Sequence, residues 1–125
     1  MNWQEIKIFK GIDLNDSFVL SWNQMGNELS FELEASIWPE SKHYESPKKE
    51  EYTCYKPAYL LFKNVKEIKG LRQMNEVPAQ SDLTGEKDYG NIDHLEENKE
   101  GFAVEGEFGS VLITGGEMSF EIKKT

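Results

Sequence analysis

The side chains able to do covalent or acid–base chemistry are few in kind. One cysteine, Cys54, and two histidines, His43 and His94, could in principle pair as a thiol nucleophile and its base. Cys54 falls in a stretch of β-forming residues, where cysteine packs as a small hydrophobe, and the spacing brings neither histidine to it. The run Asp88-Tyr89-Gly90-Asn91-Ile92-Asp93-His94 collects oxygen and nitrogen donors. Position twelve of a calcium loop counted from Asp88 would be Lys99 where a glutamate is needed, and zinc asks for more His or Cys. No metal or cofactor is therefore expected. Asp, Asn and Gly in this run also suit a turn, and Asp88, Tyr89 and Asp93 stand as binding candidates there. Paired carboxylates hydrolyse glycosides, but with 23 acidic side chains the existence of a pair is not diagnostic. Asp88 with Asp93 is the pair on which a hydrolase reading would rest. Phosphate loops, dinucleotide fingerprints, nucleophile elbows and metalloprotease helices are absent from the sequence, so the reading leans away from an enzyme.

Binding chemistry is better represented. Trp38, His43, Tyr44, Tyr52, Tyr55 and Tyr59 fall within 22 residues around a polar loop. Tyr and Trp suit interfaces and sugar-binding faces, where one end is apolar and the other wet. The same rings could also cap a core at the ends of a sheet. Trp38, Tyr44 and Tyr55 are the binding candidates of this cluster.

Charge narrows the partners. The net charge is −9, from 23 acidic and 14 basic side chains, with Arg72 as the single arginine. Phosphate recognition relies on Lys and Arg, so nucleic acid and anionic membrane surfaces are disfavoured. A basic protein partner is favoured, because opposite fields speed encounter; solubility alone would also explain the charge. A single cysteine excludes an intramolecular disulfide. No signal-peptide pattern opens the chain and no stretch reaches the ~18 apolar residues of a membrane span. A cytoplasmic protein is expected.

The elements that would carry these residues read as strands. Leu29, Phe31, Leu33, Ala35 and Ile37 alternate with Ser30, Glu32, Glu34 and Ser36, the period-two mark of a half-buried strand. Phe18, Leu20 and Trp22 alternate before them, with Gly26-Asn27 as a hairpin turn. Residues 2–12 are ambiguous between a helical turn and a strand, and Asn15-Asp16-Ser17 reads as a turn. A loop is expected over 39–51, then an extended segment from Tyr52 to Val65 with a bulge or edge at Pro57. Residues 70–88 break any period at Gly70, Pro78, Ser81, Asp82, Gly85 and Asp88. Tyr89 to Leu95 reads as a short strand. Gly106 and Gly109 suggest a bulge or bend, and Gly115-Gly116-Glu117 a hairpin. The 125 residues form one β-rich domain, expected to be an all-β antiparallel sandwich or partly open barrel of about six to nine strands.

Five strings, in order, carry a resemblance: Asp16-Ser17-Phe18-Val19-Leu20-Ser21-Trp22, Phe31-Glu32-Leu33-Glu34-Ala35, Tyr52-Thr53-Cys54-Tyr55, Tyr89-Gly90-Asn91-Ile92-Asp93 and Glu105-Gly106-Glu107-Phe108-Gly109. The chain resembles a family of small, uncharacterised single-domain bacterial proteins over about Asp13 to Ile122. The resemblance implies no catalytic residue. In size and charge the chain is also similar to immunity proteins of toxin systems. The leading expectation is a non-enzymatic acidic protein that inhibits a basic partner. The alternatives are a small-molecule or carbohydrate-binding β domain, and last a carboxylate hydrolase. The oligomeric state stays open.

Overall fold

The clearest alternation in the sequence becomes the first hairpin. In a computed structural model that describes residues 1–49, 51–81 and 87–123, β1 (Ile12–Met25) turns through Gly26-Asn27 into β2 (Glu28–Ile37). Gly26 supplies the left-handed backbone at φ +59°, and Met25 faces Glu28 across the turn. β2 pairs along its length with β3 (Cys54–Leu71). Two residue pairs, at Gln80–Ser81 (β4) and Lys87–Asp88 (β5), make a small separate sheet. β6 (Ile92–Glu97), β7 (Gly101–Gly106) and β8 (Gly109–Ile122) complete the main one.

The main sheet has six strands in the order β1-β2-β3-β8-β7-β6, all antiparallel. It is curled into a half-barrel, so the fold is all-β with a partly open barrel wall. Its outer strands approach each other at one seam. Val19 N–H donates to Gly90 O and Tyr89 N–H donates to Val19 O, both at 2.8 Å. Asn91 Nδ2 donates to Ser17 O at 2.8 Å, and Asn15 Nδ2 to Ile92 O at 2.9 Å. Side-chain amides thus supply bonds that a full ladder between β1 and β6 would otherwise make.

The curl comes from local irregularities. Asn15-Asp16-Ser17, expected as a turn, lies inside β1, where pairing to β2 skips from Asp13 to Phe18. The buried Ser17 hydroxyl donates to Asp13 O at 2.7 Å and accepts from Ser36 N–H at 2.9 Å. A turn-forming side chain here stands in for a missing ladder partner, which is a bulge. The second irregularity corrects another expectation. Gly115-Gly116 is no hairpin but a bend within the continuous strand β8, at φ +72° and +87°. β3 bends beside it at Asn64, φ +58°. The hairpin lies one element earlier, at Glu107-Phe108 between Gly106 and Gly109.

Pro57 lies in a central strand without a bulge, opposite Glu34. Its carbonyl accepts from Lys123 N–H at 2.8 Å, one residue beyond the last β3–β8 pair. The return bond is the one proline cannot make, and it falls where β8 runs out. Residues 2–12 form two 3₁₀ turns, Trp3–Glu5 and Lys7–Phe9, before β1 begins. A third covers Met74–Glu76 in the segment expected to be irregular. Asp82 and Gly85, read as breakers there, and Glu50 of the loop lie outside the described residues.

The inner face holds Phe31, Phe62 and Phe108, each wholly buried. Phe31 meets Phe62 and Phe108 at ring-centroid distances of 6.3 and 4.8 Å. Such tilted contacts add about 0.5–1.5 kcal/mol per pair beyond area burial. Cys54 packs in this core as a buried free thiol. Among the described residues no helix is long and apolar enough to cross a membrane.

Candidate functional site

Directly opposed residues in an antiparallel sheet share a face, so the register identifies what the outer surface presents. Leu29, Phe31, Leu33, Ala35 and Ile37 of β2 point inward. Glu32 therefore points outward, in a row Ser21–Glu32–Tyr59–Glu121 across four strands. Beside it run the rows Phe18–Glu34–Pro57 and Ser30–Leu61–Ser119. Glu32 and Glu121 flank Tyr59 at two strand spacings, roughly 10 Å apart.

The aromatic side chains on this face are anchored. Tyr55 donates from its hydroxyl to Asp16 Oδ2 at 3.0 Å and packs against Phe18 at 5.7 Å. Burial first, then the hydrogen bond to Asp16 and its charge, hold the Tyr55 hydroxyl well above the ordinary phenol range. The Lys123 ammonium lies over the Tyr59 ring, 4.9 Å from its centroid. Asp16, Glu32, Glu34, Glu117 and Glu121 are among the carboxylates around the face, with Lys63 and Lys123 beside them. Half-buried tyrosines with acids between them form a surface that can grip a cationic side chain and exclude water around it.

The six sequence-derived candidates do not gather in one place. Tyr55 belongs to the outer face just described. Trp38 follows β2, is 49% exposed, and its backbone N–H donates to Gly11 O at 2.8 Å. Tyr44, from the same loop, is partly buried against the core. Tyr89 packs edge-on against Trp22 at 5.2 Å, beside the β1–β6 seam. Asp88 accepts Gly90 N–H at 2.9 Å through Oδ1, a turn role. Asp93 is exposed on β6, and its carbonyl accepts from Asn15 Nδ2 at 3.3 Å. The residues the sequence left out are Asp16, Glu32 and Glu121 as neighbours of tyrosines. The Tyr55, Pro57, Tyr59, Leu61 spacing of two was the signal for the face. The Asp16 contact had none, because it depends on the β1 bulge.

His94 Nε2 lies 3.6 Å from Glu96 Oε2 on β6, and His43 sits in the loop after β2. Cys54 is buried at the start of β3. Among the described residues no group of three His, Cys, Asp or Glu side chains is placed to hold a metal ion. Compared with protein-family models, with curated proteins and with solved structures, the chain matches none.

Proposed function

We propose that the protein is a non-enzymatic, acidic binding protein of the inhibitor or immunity type, which neutralises a basic protein partner. The observation that carries this reading is the outer row Glu32–Tyr59–Glu121 with Tyr55 and Asp16 beside it. The Lys123 ammonium already lies over the Tyr59 ring, so a lysine or arginine of a partner would displace it and take up the same combination of charge and ring contact. The net charge of −9 would steer a basic protein towards it from a distance. Strands β2 and β3 beneath are paired on both sides, so little backbone ordering would accompany binding. Nucleic acid and anionic membranes are outside the proposal, since the face is acidic. A cytoplasmic setting is part of it, consistent with one free, buried thiol.

The test is capture from a lysate of the source cell, using the wild-type chain and the double reversal Glu32→Lys/Glu121→Lys side by side. Purified partner is then titrated against both by calorimetry. A basic protein should bind wild type stoichiometrically, weaken as salt rises, and lose about tenfold or more in affinity to the reversed chain. Equal affinity for both chains would remove the outer face from the account. Recovery of no basic protein would remove the function.

A further inference from the structure

The sheet is covered unevenly on its inner side. On β3 the inward residues Ala58, Leu60 and Phe62 are fully buried, while their partners on β8, Ile122, Phe120 and Met118, are only partly buried. The topology explains the difference. β7 pairs with β8 from Gly109 to Thr114, and beyond the glycine bend β8 continues with β3 alone beside it. The 3₁₀ turn Lys7–Phe9 covers part of the gap, with the Phe9 ring edge-on to Phe120 at 5.4 Å.

What remains open is a cavity of about 500 Å³, within the size range of small-molecule sites. Its apolar wall is Ile8, Ile12, Phe120 and Ile122. Ile8 is 42% exposed, a large hydrophobe left facing water. The polar rim carries Lys7, Lys10, Lys42 and His43 with one acid, Glu40. Three lysines to one glutamate is the reverse of the chain's balance, which is −9 overall. None of these lysines forms an ion pair with a described carboxylate.

These two halves select one ligand chemistry. An apolar wall removes a hydrocarbon tail from water, and lysine stems can lie along it while their ammonium groups stay at the mouth. The ammonium groups favour an anionic head. Lysine ammonium groups act as point charges, so the rim reads the charge of the head, and a carboxylate is the simplest head that carries it. A bare inorganic anion would leave the wall unused, and a neutral lipid would leave the lysines unused. We propose that this cavity binds a small amphipathic anion, such as a fatty carboxylate, its tail against Ile8, Ile12, Phe120 and Ile122 and its head among Lys7, Lys10 and Lys42. The site lies outside the Glu32–Tyr59–Glu121 row and is independent of the partner reading.

The experiment is a methyl and amide NMR titration of the full chain with decanoate, kept below its micellar concentration. Decanol serves as the uncharged tail and acetate as the tailless head. Saturable shifts at the Ile8, Ile12 and Ile122 methyl groups are expected with decanoate. Decanol should bind about tenfold more weakly or worse, and acetate should cause no saturable shift. Lys10 and Lys42 are exposed, so the Lys10→Glu/Lys42→Glu chain keeps its fold, checked by its unperturbed core resonances. Its decanoate affinity should fall about tenfold. No saturable binding, shifts centred elsewhere, equal binding of decanol, or indifference to the double reversal would each overturn the proposal.

Discussion

In β2 the inward residues Leu29, Phe31, Leu33, Ala35 and Ile37 are completely buried, whereas beyond the glycine bend of β8 the inward Met118, Phe120 and Ile122 are only partly buried. Both segments are written with the same alternation of apolar and polar residues. β2 has β1 on one side and β3 on the other, and its Phe31 reaches Phe108 across the core. The end of β8 has β3 on one side, and its cover is a short 3₁₀ turn contributing Phe9. Alternation decides which face is apolar. How completely that face is covered depends on neighbours supplied by distant parts of the chain.

The largest test of this contrast replaces one phenylalanine in each region. Phe31→Ala should lower unfolding stability by about 3–5 kcal/mol, the range for a sealed aromatic. Phe120→Ala should cost about 1–2 kcal/mol, because water already reaches part of the ring. Urea midpoints of the two variants measure both, and equal losses would break the comparison.

The bend that frees the end of β8 can be tested next. A Cβ at residue 116 would meet Lys63 O and Val65 Cγ1 at 2.7 Å, with φ at +87°. Gly116→Ala should therefore cost about 2–3 kcal/mol, read by thermal or urea denaturation. A neutral result would mean that the bend relaxes freely and does not shape the open end. On the sealed side, Ser17→Ala removes the acceptor of the buried Ser36 N–H. An unsatisfied buried donor costs about 1–2 kcal/mol, again read from the urea midpoint.

The smallest effect concerns the outer face. Tyr55→Phe removes the hydrogen bond to Asp16 and should cost about 0.5–1.5 kcal/mol near neutral pH. The Tyr55 hydroxyl is raised above its ordinary value of 10.0 by burial and by Asp16. The folded chain then keeps a proton that the unfolded chain releases above about pH 10. The contribution to stability is full below that pH and falls as pH rises beyond it. Urea midpoints across this alkaline range should decline less steeply in Tyr55→Phe than in wild type.

Much of the fold was legible because the informative residues act locally. Period two in residues 29–37 and Gly26-Asn27 fix a strand and a turn within their own neighbourhood. Gly115-Gly116 misled for a related reason. Two adjacent glycines license positive φ, but whether the chain reverses or only bends there is decided by β3, which stays paired past the glycines. Asn15-Asp16-Ser17 misled in the same way, since a turn-forming hydroxyl can serve a bulge when a partner strand stands opposite. Of the candidate site, Tyr55 was legible as an aromatic at a strand position. Its partner Asp16, 39 residues away, was not. The cationic cavity was illegible altogether, because Lys7, Lys42 and Phe120 come from three separate segments.

The contrast between the sealed and the open part of the inner face is measured most directly by solvent paramagnetic relaxation. A soluble paramagnetic agent is added to the methyl-labelled chain, and attenuation is read at each methyl group. The Met118 and Ile122 methyl signals should be attenuated strongly, while those of Leu29, Leu33 and Leu60 should be nearly untouched. Equal protection of both sets would mean that β8 is covered as fully as β2, and the account of an open end and its cavity would fall.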